Sequence, residues 1–191
     1  ISLKDADWVG GKSANLGEIA NNLHIAVPQG FAITTKAFHT FLEHNDLKEE
    51  IIKLKNQIYT DEIEQLNHLS TAAHDLIKAS PLPAVLEDEI HAACTKLWGE
   101  NQKILLAMRS SAVGEDGEIS FAGQYLTLLG LTRSEVCTAY KEIVASLYSA
   151  RSLSYRSSKG VHEEDLAMAV ACLARARALA LAAIRETYEE T

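Results

Sequence analysis

The sequence is short of cysteine, of positive charge and of long apolar runs, and each shortage excludes something. Its three cysteines, Cys94, Cys137 and Cys172, are far apart and odd in number, with no CxxC pair. Neither a zinc knuckle nor a disulfide framework is therefore encoded, and a reducing cytoplasm is the expected compartment. Lys and Arg total 18 against 26 Asp and Glu, a formal charge of −8. That balance argues against a broad nucleic-acid surface, which needs clustered cations to neutralise phosphates. No apolar run reaches the roughly 20 residues that span a bilayer. Residues Ile1 to Val9 carry Lys4, Asp5 and Asp7 and have no signal-peptide core. Ile1 is not an initiator methionine, so a processed or truncated chain is expected. The seven histidines are scattered, and none is singled out with a carboxylate at metal-ligand spacing. Internal repeats and linkers rich in Gly, Ser or Pro are also missing.

What is present suffices for one domain with a real core: 47% of the 191 residues are hydrophobic. Gly10-Gly11-Lys12-Ser13 precedes Leu16, Ile19, Ala20 and Leu23, which predicts a turn and then a helix from about Ser13 to Asn22. Val27-Pro28-Gln29-Gly30 is turn chemistry, and Phe31 to Thr34 reads as a short strand. Thr34 or Thr35 is placed to cap the next helix, which carries Phe38, Phe41 and Leu42. Residues 46 to 98 read as three helices, broken at Ser80-Pro81-Leu82-Pro83. Ile104 to Met108 predicts a buried strand, and the segment from Tyr125 to Leu129 its return partner. One long helix is expected from Ser134 to a C-cap at Gly160. Leu173 to Ile184 is almost entirely Ala, Leu and Arg, a composition of high helix propensity and low specificity.

Three cations invite functional readings. Lys12 follows two glycines before a helix, where backbone can approach an anion closely and the helix N-terminus favours negative charge. The pattern is not a P-loop, because Ala6 stands where that motif needs glycine. It is either a phosphate contact or a plain helix-entry turn. Arg109 follows five apolar residues and is expected at a strand's end, as a bidentate phosphate ligand or as the partner of Glu115 or Asp116. Ser110, Ser111 and Ser120 are loop hydroxyls that either touch phosphate or cap turns. Glu115 and Asp116 are a solvated acidic pair or a Mg²⁺ site. Arg151, four residues after Leu147 on an apolar stripe, is expected to have a buried carboxylate partner.

Taken in order, the segments resemble one family. They are Val9-Gly-Gly-Lys-Ser-Ala-Asn-Leu-Gly-Glu18, Val27-Pro-Gln-Gly-Phe-Ala-Ile-Thr-Thr35, Met108-Arg-Ser-Ser-Ala112 with Glu115-Asp116, Ser120-Phe-Ala-Gly-Gln124 and Ala145 to Arg156. They are similar to the N-terminal half of the nucleotide-binding domain of phosphoenolpyruvate synthase (pyruvate, water dikinase), a domain type shared with pyruvate phosphate dikinase and rifampicin phosphotransferase. The resemblance covers roughly residues 1–172, with 173–191 an atypical helical tail.

The resemblance implies an α+β, helix-rich first subdomain of an ATP-grasp-like fold, with a small mixed sheet around Phe31–Thr34, Ile104–Met108 and Tyr125–Leu129. Lys12 and Arg109 match the family's phosphate-contacting Lys and Arg. Gly123 and Thr127 match the loop that covers the phosphates. In the family, ATP with Mg²⁺ phosphorylates a histidine on a separate domain, which then serves pyruvate. Departures are clear. Leu126 stands where the family implies an acid, and Cys172-Leu-Ala-Arg replaces a Gln-Arg-Met-Val-like strand. The metal-binding acid pair of the second subdomain and the phosphohistidine loop are both missing. ATP recognition without catalysis is therefore the leading expectation. A scaffold descended from that domain, self-associating through its tail, is the rival; a fragment of a rifampicin-type phosphotransferase is a weaker one.

Overall fold

Four strands, β1 (Gly30–Ile33), β2 (Leu106–Ala112), β3 (Thr127–Leu131) and β4 (Met168–Ala174), form one sheet in the order β1-β4-β2-β3. The structure is a computed structural model that describes residues 1–56, 63–99, 104–112, 126–160 and 166–174. All three pairings are antiparallel, so the expected small sheet exists but is not mixed. β4 holds the centre. It pairs with β1 through Ala32↔Ala171 and with β2 through Arg109↔Ala171.

β4 was not among the expected strands. Met-Ala-Val-Ala-Cys-Leu-Ala is rich in alanine, which strands disfavour. Tertiary context overrides that preference: Met168 to Cys172 are buried in succession, the signature of a strand covered on both faces. Leu173 and Ala174, expected to open a helical tail, instead complete this strand. The rest of that tail lies outside the described residues.

Seven helices are present among the described residues: α1 (Ala6–Asn22), α2 (Thr35–His44), α3 (Leu47–Asn56), α4 (Ile63–Ala79), α5 (Ala84–Trp98), α6 (Val136–Ala145) and α7 (Ala150–Lys159). α3 to α5 match the expected helical stretch and its break before Ala84. Thr34 caps α2, its hydroxyl oxygen accepting from the Ala37 N–H at 3.4 Å. The single long helix expected after Ser134 is instead two. A 3-10 turn over Ser146–Tyr148 follows α6, and Ser149 then caps α7 by accepting from the Ser152 N–H at 3.2 Å. Gly160, at φ 65°, ends α7 as the sequence suggests.

That break resets the helical phase, so counting four residues on from Leu147 misplaces the arginines. Arg151 is exposed, and Arg156 is the buried one, only 2% accessible. Its guanidinium donates to the Leu147 carbonyl and lies 5.4 Å from the Tyr148 ring centroid. The contact with the ring face is a cation–π interaction.

Leu106 and Met108 of β2 alternate with outward residues and join Met168, Val170 and Cys172 of β4 in the main core. Onto them pack Phe38 and Phe41 of α2, Ile77 of α4, Ile90 of α5, and Tyr140 and Ile143 of α6. The Phe41 and Tyr140 rings meet edge to face with centroids 6.1 Å apart. Burial pushes the Cys172 thiol up to about 12 and holds the Tyr140 phenol well above its usual range. The Tyr140 hydroxyl is buried without a hydrogen-bond partner among the described residues.

α1 lies on the opposite face of the sheet, against β4, β2 and β1. It kinks at Gly10, whose φ of 72° and ψ of 160° are open to glycine and not to other L-residues. The kink lets α1 press onto β2: a Cβ built at Gly10 would sit 2.1 Å from the Ser111 carbonyl oxygen. Next to it the Ser13 N–H donates to the Ser111 hydroxyl at 3.4 Å. The Thr35 hydroxyl donates to the Asp7 carbonyl at 3.0 Å, tying the first turn of α1 to the start of α2.

Two substitutions test these contacts. Gly10→Ala adds backbone strain to overpacking, so urea unfolding is expected to show a loss of roughly 2–4 kcal/mol. Tyr140→Phe removes an unpaired buried hydroxyl and is expected to be neutral or to stabilise by up to about 1 kcal/mol. Because burial raises the folded-state phenol, the wild-type protein keeps this group's contribution below pH 10 and loses it as pH rises further. The slope is about 1.4 kcal/mol per pH unit for one such group. Unfolding curves at pH 8 to 11 are expected to show a shallower alkaline loss in Tyr140→Phe than in the wild type.

Candidate functional site

The face of the sheet that carries α1 also carries the residues singled out for phosphate chemistry. On β2, side chains alternate, so Leu106, Met108 and Ser110 point one way and Ala107, Arg109 and Ser111 the other. Arg109 is therefore on the α1 side, and it is exposed. It sits in the middle of β2 and not at its end, because pairing with both β3 and β4 continues the strand past it. The strand extends through Ser110, Ser111 and Ala112, which the sequence placed in a loop.

Thr127, the first residue of β3, is the direct cross-strand partner of Arg109 and is also exposed. Directly opposed residues of an antiparallel pair share a face with Cβ atoms about 4.5–5.5 Å apart. Two residues on, Leu129 is 65% exposed on that same face. From the other side comes Lys12, on the first turn after the Gly10 kink. Its amino group donates to the Ser110 carbonyl at 3.4 Å, one residue from Arg109. Three of the four expected site residues, Lys12, Arg109 and Thr127, thus meet around one point of β2. Gly123 lies outside the described residues, as do Ser120, Glu115 and Asp116.

The electrostatics of this patch are cationic. Arg109 forms no ion pair with any described residue. The restarted helix beyond Gly10 aims its N-terminal turn at β2, which adds partial positive charge. Ser110 and Ser111, expected as loop hydroxyls on a ligand, are buried at 2% and 0% exposure, and Ser111 serves the Gly10–Ser13 turn instead. Ser111 thereby seats α1, a contact between residues 98 apart that no local pattern announces.

No sequence pattern announces the apolar cleft beside the patch. It has room for about 110 Å³ between α1 and strands β1 and β4, and is lined by Leu16, Val27, Pro28, Phe31, Ala171 and Leu173. Ser13 lies in its wall, its hydroxyl buried with no partner among the described residues. The cysteines do not act here: burial raises the thiols of Cys94 and Cys172, keeping both in the unreactive protonated form. Among the described residues no helix is long and apolar enough to cross a membrane.

Comparison with known proteins identifies the family. The family model for the AMP/ATP-binding domain of pyruvate phosphate dikinase matches residues 6–181. Phosphoenolpyruvate synthase of Escherichia coli K12 is 35% identical over 173 residues, 88% of this chain and 22% of the relative. The Helicobacter pylori phosphoenolpyruvate synthase is 37% identical over 177 residues, covering 89% of the chain and 22% of the relative. A probable phosphoenolpyruvate synthase of Staphylothermus marinus is 36% identical over 176 residues, 89% of the chain and 21% of the relative. The chain spans about a fifth of the length of these relatives. With a match that takes in Lys12, Arg109, Thr127 and all four strands, the chain belongs to the pyruvate phosphate dikinase AMP/ATP-binding domain family.

Proposed function

We propose that the chain binds the phosphates of ATP on the α1 face of its sheet, as the nucleotide-recognition part of a phosphoenolpyruvate-synthase-like dikinase. The observation that carries this reading is the convergence of Lys12, Arg109 and Thr127 on one exposed stretch of β2 and β3. Each supplies a different contact. Arg109 offers a planar fork that grips two phosphate oxygens, Lys12 a compact point charge, and Thr127 a hydroxyl donor. Gly123, in the segment before β3, completes the set as a backbone N–H donor over the phosphates.

In phosphoryl transfer the protein contributes position and charge neutralisation far more than covalent chemistry. A pair of cations held by a sheet and a kinked helix fits that role, because both elements are anchored in the core. Mg²⁺, held by acids that the family resemblance places on a second ATP-grasp subdomain, would supply further positive charge to the phosphates. Exposed Leu129 beside Thr127 supports such a partner covering this face. In the complete reaction ATP phosphorylates a histidine on a separate domain, and that phosphohistidine then serves pyruvate. The chain by itself binds nucleotide and does not turn it over.

Calorimetric titration with ATP and Mg²⁺ tests the reading. Saturable binding is expected, weakened by about 1–3 kcal/mol in Lys12→Ala and in Arg109→Ala, the scale of one charge-assisted contact. Arg151→Ala, at an exposed position of α7, is expected to bind as the wild type does. No heat at millimolar ATP from folded protein would favour the scaffold reading, in which the cations are inherited and idle.

A further inference from the structure

On the far side of the molecule from the cationic patch, three side chains of mixed donor type converge. Glu87 and His91 are four residues apart on α5, and Cys137 is the second residue of α6. Their ligand atoms all lie within 4.8 Å of one another. The His91 Nε2 is 3.8 Å from Glu87 Oε1 and 4.0 Å from Cys137 Sγ.

The same three residue types could build a nucleophilic relay, and the geometry rejects that. A relay needs the base to face the nucleophile with one ring nitrogen and its orienting carboxylate with the other. Here a single nitrogen faces both groups. Three donor atoms aimed at one point are what a cation requires.

We propose that Glu87, His91 and Cys137 form a binding site for a thiophilic divalent cation, with Zn²⁺ the best match. Bond lengths of 2.0–2.3 Å at a tetrahedral centre put ligand atoms about 3.3–3.8 Å apart. The His91 separations need to shrink by about half an ångström, and the Glu87–Cys137 separation, at most 4.8 Å, by up to about 1 Å. Glu87 and His91 are half exposed, so their side chains can make that adjustment. The backbone beneath them is fixed, since Leu86, Ile90 and Cys94 of α5 and Val136 and Tyr140 of α6 are buried. One sulfur, one imidazole and one carboxylate select a borderline-soft ion over Mg²⁺ or Ca²⁺, which prefer all-oxygen shells. Three protein ligands leave a fourth position open to water or to a ligand from another molecule. The site joins α5 to α6, so the ion would clip the helical layer to the element that packs on β2 and β3.

Cobalt(II) reports such a site optically, because a thiolate ligand gives an intense charge-transfer absorption. Titrating the whole chain under reducing conditions is expected to give that band with one equivalent of Co²⁺, displaced by one equivalent of Zn²⁺ and untouched by Mg²⁺. Cys137→Ser is expected to abolish the band, and His91→Ala to weaken Zn²⁺ binding, read by chelator competition, at least tenfold. Both positions are partly exposed, and circular dichroism checks that the variants fold. Absence of the band in folded wild-type protein, its survival in Cys137→Ser, or unchanged Zn²⁺ affinity in His91→Ala would each overturn the proposal.

Discussion

The approach of α1 to β2 at Gly10 and Ser111 is the constraint on which the site depends. Only a residue without Cβ can come this close to the Ser111 carbonyl, and only at a positive φ can the chain turn there and restart as helix. Ser13 locks the restart through its N–H to the Ser111 hydroxyl. Lys12 lies between these two fixed residues, so its reach toward Ser110 follows from the backbone and costs little side-chain searching. A cation on a loose loop would lose part of any contact energy to ordering; Lys12 is ordered in advance.

A second constraint explains why the sheet can present charge at all. β4 runs between β1 and β2 and is buried on both faces, which leaves β3 as the open edge beside β2. The core face of the sheet is sealed by α2 and α6, while α1 covers the other face over β1, β4 and part of β2. Arg109 and Thr127 lie where that cover stops. Exposure at these two positions and burial at Ser111, two residues along the same strand, mark the edge of α1.

Much of this was legible in the sequence because it was encoded locally. The Thr34 cap, the helix break before Ala84 and the C-cap at Gly160 each rest on residues a few positions apart, whereas the helix expected from Ser13 already begins at Ala6 and only kinks at Gly10. The family was legible too, since ordered motifs survive where single ones are weak. What failed was non-local or phase-dependent. β4 is a strand because of its neighbours and not because of its alanines. Ser149 caps a new helix and shifts the buried arginine from Arg151 to Arg156. Arg109 was expected at the strand's end and sits in its middle, since the strand's true end depends on its pairing with β4. The Glu87–His91 spacing was not singled out in the sequence, because Cys137, the third residue of that cluster, lies 46 residues further on.

The central claim is that the α1 face of the sheet, around Lys12, Arg109 and Thr127, is where nucleotide lies. Mapping backbone amide shifts by nuclear magnetic resonance while adding ATP and Mg²⁺ tests it most directly. The account predicts the largest changes at Gly11 to Ser13, Arg109 to Ser111 and Thr127 to Leu129, with α4 and α5 unmoved. Changes concentrated on the helical layer, or none in a folded protein at millimolar ATP, would contradict it.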